Sequence, residues 1–148
     1  MKKAILTLCL LVSIIYFSQA QNYFEGGLRF GGGFNNNVAL DFTLPLAAKP
    51  RLHPTLYFDN NGVTIGTYFD WMFNVEDAEG LRLYPGVGPE LYLYNNSTHL
   101  GVAGNFGIEY VFDIPLTVGF DWRPAIIVTG PGDFNTDNWG IMIRYRFN

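Results

Sequence analysis

The chain is short of the residues that most often hold small exported domains together or do chemistry. It has one cysteine, Cys9, and two histidines, His53 and His99. With Cys9 inside a removable leader, no disulfide is left to staple the product. Two histidines without a second cysteine give no metal-ligand spacing, so no metal or cofactor is expected. Lysine is almost absent: after Lys2 and Lys3 only Lys49 remains. There is no basic patch, which argues against nucleic acid as a partner. Past the first twenty residues, no apolar run approaches the ~20 residues of a membrane-crossing helix.

Those first twenty residues predict the compartment. Lys2 and Lys3 precede an apolar run from Ala4 to Phe17, and Ser18-Gln19-Ala20 follows with small residues at the −3 and −1 positions. The pattern predicts a secretory signal peptide over 1–20, cleaved after Ala20. The run is short for a retained anchor, and Leu8 before Cys9 is not the small residue a lipoprotein signal requires. What remains, 21–148, is the size of one domain. Lys2 and Lys3 leave with the signal, so seven of the 9 basic residues face 13 acids.

Aromatic residues (17%) and 17 glycines are abundant, which suits many short strands. Turn-forming clusters punctuate the chain: FNNN (34–37), PLAAKP (45–50), DNNG (59–62), NVEDAEG (74–80), YNNST (94–98), DIP (113–115) and TGPGDFNTDN (129–138). Seven turns separate eight segments, and each segment alternates with period two, the mark of a strand. The last one, WGIMIRYRFN, sends Trp139, Ile141, Ile143, Tyr145 and Phe147 to one side, and Gly140, Met142, Arg144 and Arg146 to the other.

Gathered over all eight segments, the non-apolar faces carry Glu25, Asp41, Asp70, Glu90, Glu109 and Asp121 together with Arg29, Arg51, Arg82, Arg123, Arg144 and Arg146, and no lysine. Six acids against six arginines, interleaved with tyrosines, suit an enclosed interior in which charges withdrawn from water must be paired. Arginine's planar fork fits carboxylates for that purpose. Gly27, Gly31, Gly86, Gly88, Gly101, Gly107 and Gly119 leave room there for long side chains. The apolar faces hold Leu, Ile, Val and Phe, with Phe24, Trp71, Phe73, Tyr110, Phe112, Tyr145 and Phe147 at segment ends along one rim. An apolar outer band, aromatic girdle and polar interior predict an all-β fold: an eight-stranded antiparallel up-and-down transmembrane β-barrel facing lipid.

Gly107-Ile108-Glu109-Tyr110-Val111-Phe112-Asp113-Ile114-Pro115-Leu116, then Asp121-Trp122-Arg123-Pro124, the closing Arg144-Tyr145-Arg146-Phe147 and the early GGLRFGGG (26–33) carry a resemblance. The chain resembles the small outer-membrane β-barrel proteins abundant in Bacteroidota-type bacteria, most of unassigned function. The resemblance spans 21–148. It implies residence in the bacterial outer membrane, contact with its lipid, and assembly by barrel-insertion machinery that reads the terminal strand.

Candidates for chemistry are few. Ser97, His99 and Glu109 are similar to the serine–histidine–glutamate set of lipid A deacylase barrels, although the order here is Ser-x-His where that family has His-x-Ser. His53 beside Asp41 or Asp70 has the composition of a poised general base. NVEDAEG lacks the alternating ligands of a calcium loop, and no helix follows GLRFGGG to cradle a phosphate. The expectation is a non-enzymatic barrel whose salt-bridged lumen is a plug, with a structural or surface-interacting role. The alternatives are a small pore, a secreted lipocalin-like ligand-binding barrel and an envelope lipid-modifying enzyme. With both termini periplasmic, the outer loops would be 34–37, 59–62, 94–98 and 129–138, mostly short.

Overall fold

The computed structural model describes residues 23–32, 38–130 and 132–147; the expected signal segment (1–20), the FNNN turn (34–37) and Asn148 lie outside them. Every regular element among these residues is a strand: β1 (Phe24–Gly31), β2 (Val38–Pro45), β3 (Pro50–Asp59), β4 (Gly62–Trp71), β5 (Phe73–Asn74), β6 (Leu81–Tyr94), β7 (Ser97–Val111), β8 (Leu116–Trp122), β9 (Ala125–Ile127), β10 (Phe134–Asn135) and β11 (Trp139–Phe147).

Eight of these are long and three are short continuations. β5 carries β4 onward along β6, with Phe73 opposite Leu83. β9 carries β8 onward along β7 in unchanged register. The break between them falls at Arg123-Pro124, where proline has no N–H for the ladder. Gly104 N still donates to Pro124 O there, at 2.8 Å. β10 precedes β11 with one extra residue between them. Asn135 faces Ala125 and Trp139 faces Trp122, so four steps on one strand oppose three on the other, a bulge.

All pairings are antiparallel and run round a closed ring, β7-β8-β11-β1-β2-β3-β4-β6 and back to β7. The seam joining the two ends of the chain is continuous from Phe24 opposite Phe147 to Gly31 opposite Gly140. The eight-stranded antiparallel barrel expected from the turn clusters is therefore present. Several turns are shorter than the sequence suggested, two of them at candidate residues or loops. Asn95-Asn96 alone connect β6 to β7, which puts Ser97 and Thr98 in a strand. Phe134 and Asn135 join the sheet, so 129–138 is not a single loop. In both cases cross-strand pairing outweighs the local preference of asparagine and aspartate for turns.

The alternation sends apolar side chains outward and charged ones inward. On β11, Trp139, Ile141, Ile143, Tyr145 and Phe147 are exposed on the outer surface while Gly140, Met142 and Arg144 are buried inside. The other strands follow suit: Leu28, Phe30, Phe69, Leu83, Val102 and Phe120 point outward, and the largest fully buried side chains are arginines and tyrosines. The core of this barrel is charged and its surface is hydrocarbon, the reverse of the usual distribution.

Candidate functional site

The interior is built in layers from the inward positions of successive strands. Nearest the rim where β1 begins and β11 ends, Glu25 accepts from Thr43 Oγ1 (3.1 Å), Thr117 Oγ1 (2.8 Å) and Arg144 Nε (2.9 Å). Arg144 donates further to Asp41 Oδ2 (2.8 Å) and to Glu109. Arg51 spans Asp70 (Nε, 3.0 Å) and Glu109 (Nη1, 2.9 Å). In the middle layer Arg29 places Nε and Nη2 on Asp121 Oδ1 at 2.8 and 2.6 Å. Arg123 approaches the other oxygen of Asp121 (Nη2, 2.7 Å) and reaches Asp41 (3.2 Å). Both ring nitrogens of His53 face carboxylates, Nδ1 to Asp70 at 2.7 Å and Nε2 to Asp41 at 2.9 Å. Asn105 donates to Asp70 Oδ1 (2.7 Å) and accepts from Arg123 Nε (3.1 Å).

Tyrosines insulate the layers. Arg51 lies over the Tyr84 ring at 4.5 Å and Arg123 over Tyr68 at 4.7 Å, contacts that gain strength once water is excluded. Room for these side chains comes from glycine. A Cβ on Gly107 would fall 2.3 Å from the Tyr84 ring and hydroxyl, and one on Gly140 would fall 2.3 Å from Arg29 Cζ.

Of the twelve charges expected inside, nine form this web: Glu25, Arg29, Asp41, Arg51, Asp70, Glu109, Asp121, Arg123 and Arg144. Glu90 is buried too, but it is held by the hydroxyls of Tyr68 and Tyr92 instead of an arginine. Arg82 and Arg146 are only half-buried. Arg146 donates to the carbonyls of Phe112 and Ile114 and so clips the 112–115 turn. Arg82 forms no ion pair among the described residues. The six-to-six balance read from the strand faces is thus six acids to four arginines, with His53 set between two of the acids and two phenols on a third.

The seven aromatic residues expected at one rim are all there and exposed. Phe24 stacks on Phe147 (4.8 Å), Tyr110 meets Phe112 (4.8 Å), and Tyr145 meets Phe147 (4.8 Å). A second cluster lies towards the opposite rim: Trp122 stacks on Trp139 at 5.4 Å, flanked by Phe106 and Phe120. Trp122 Nε1 donates to Thr136 O at 2.7 Å.

The possible catalytic sets behave differently. Ser97 and His99 lie at the far end of β7 from Glu109. Twelve residues of strand separate Ser97 from Glu109, on the order of 40 Å at ~3.3 Å per residue, so these three do not meet. His99 Nδ1 instead faces Thr129 O at 3.0 Å. His53 does meet both Asp41 and Asp70, and all three are fully buried. Among the described residues no group of His, Cys, Asp and Glu is arranged to hold a metal ion. No model of a known protein family and no curated protein matches the chain. The network's geometry is therefore the basis for a functional reading.

Proposed function

We propose that this chain is an integral outer-membrane β-barrel with a salt-bridged, plugged lumen, of the small barrel type its sequence resembles. Its role is structural or surface-interacting within the envelope, without turnover. One observation carries the reading: the closed barrel exposes its Leu, Ile, Val, Phe and aromatic side chains around its whole circumference and buries its charges. Water penalises such an exterior by roughly 25 cal/mol per Å² of apolar surface, whereas lipid does not. Full closure also satisfies the backbone of every strand, the condition for a sheet to lie in hydrocarbon. The rim aromatics fit headgroup girdles.

The lumen supports a plug over a pore. Arg29, Arg123 and Arg144 are at most 1% exposed, and their guanidinium groups cross the interior. The secreted lipocalin-like alternative needs apolar side chains pointing inward, and here they point outward. Cell fractionation tests the reading: the folded protein is expected in the outer membrane, extractable only with detergent and migrating faster on gels before heating than after. Recovery as a folded, detergent-free soluble protein would overturn it.

A further inference from the structure

At the rim where β1 begins and β11 ends, a cavity of about 570 Å³ opens beside the β2–β3 turn and the start of β6. Lys49, Arg51 and Arg82 line it. Arg51 is only 4% exposed; its Nε and Nη1 are engaged by Asp70 and Glu109, but its Nη2 is buried without an acceptor. A buried cationic donor left unmatched is costly. Arg82 has no ion-pair partner among the described residues. Lys49 rests 5.8 Å above the Phe73 ring and holds no ion pair among the described residues. Glu25, the one acid on the cavity wall, has both oxygens occupied by Thr43, Thr117 and Arg144. The cavity thus offers two cations, Lys49 and Arg82, that hold no ion pair among the described residues, with the charged Arg51 buried behind them.

We propose that this cavity binds a phosphate group. A phosphate monoester brings a charge of about −1.5 to −2 and three strong acceptor oxygens. That matches the two cations Lys49 and Arg82, whereas a carboxylate would leave one of them unneutralised. The group arrives either on a lipid headgroup at the rim or as a free ion or small ester. The site depends on the barrel's own side chains and not on where the barrel resides.

The test uses the full-length protein, folded in a maltoside detergent and phosphate-free buffer. Inorganic phosphate and glycerol 3-phosphate are titrated by calorimetry into the wild type and into Arg82→Gln, Lys49→Gln and the double variant. Neither side chain holds an ion pair among the described residues, so all variants should keep the folded gel mobility. Saturable binding is expected in the wild type, weakened by about tenfold in each single variant and lost in the double. Mixed micelles containing phosphatidic acid then separate the sources. If they displace the bound phosphate where phosphatidylcholine micelles do not, a headgroup is the ligand; if neither displaces it, the free ion or ester is. Absence of saturable binding in the wild type, or unchanged binding in the folded double variant, overturns the proposal.

Discussion

Arg123 Nη1 donates to Thr55 Oγ1 at 2.9 Å, although β8 and β9, which flank Arg123, and β3, which carries Thr55, stand on opposite sides of the ring. The same nitrogen reaches Tyr57 on that far wall at 2.7 Å. One side chain therefore spans the barrel while neutralising Asp121 and Asp41 on the way. Arg123→Met leaves those acids short of a cation in a closed interior and is expected to cost about 3–5 kcal/mol. Thr55→Val removes that acceptor together with the hydroxyl's own donation to Asp41 Oδ1 at 3.0 Å, and should cost about 1–3 kcal/mol. Urea unfolding in detergent, followed by tryptophan fluorescence, measures both. Equal losses would show that the hydrogen bond to the far wall, not charge compensation, dominates.

Ile141 and Arg144 are close neighbours on β11 and should respond in opposite ways. Ile141 is 53% exposed on the outer surface, and Arg144 is fully buried among Glu25, Asp41 and Glu109. In lipid, Ile141→Arg near the midplane costs about 2–4 kcal/mol and is expected to reduce insertion. Arg144→Ile should insert, yet unfold at a lower temperature in detergent. Heat-dependent gel mobility of membrane extracts separates the two. Normal outer-membrane levels of folded Ile141→Arg would remove the lipid-facing assignment of this strand.

Gly140 offers a test of packing that leaves every charge in place. A β-branched side chain there would enter the space of the Arg29 guanidinium, which is clamped on Asp121. Gly140→Val should therefore destabilise by more than the 1–3 kcal/mol typical of overpacking, because it also parts an ion pair. Combined with Arg29→Ala the two losses should fall short of their sum, which a double-mutant cycle reads. Full additivity would mean that the valine is accommodated elsewhere.

A plugged lumen also makes an electrical prediction. Purified wild-type protein in planar bilayers should show no steady current, because fully buried arginines and tyrosines fill the section. A reproducible open level in the wild type would favour the pore alternative.

Much of this interior could be read from parity alone. Period two assigns Arg29, Asp41, Arg51, Asp70, Glu109, Asp121, Arg123 and Arg144 to one face, and closing the sheet turns that face inward. Parity says nothing about height along the axis, however. Arg82 and Arg146 share the inward phase but sit near the rim, where one lines a cavity and the other binds turn carbonyls. Glu90 shares it too, yet at its level the neighbours are Tyr68 and Tyr92, and no arginine reaches it. The contributions of Asn105, Thr43, Thr55 and Thr117 are likewise set by three-dimensional proximity. Their inward positions were visible in the sequence, but their partners lie on strands far away in the chain. The Trp122–Trp139 stack arises from the β8–β11 register, which the bulge before Trp139 fixes and no local signal announces.

The seam between β1 and β11 has a consequence for how the barrel comes into being. Glu25 and Arg144 are separated by 119 positions in the chain, and Arg29 and Asp121 by 92. Neither pair can form until the first and last strands meet, so a barrel arrested one strand short still carries Glu25 with its cation missing. Assembly is then partly sequential and partly all-or-none: pairs such as Arg51–Asp70 and Arg123–Asp121 lie within the growing sheet, whereas ring closure and the neutralisation of Glu25 by Arg144 are the same event.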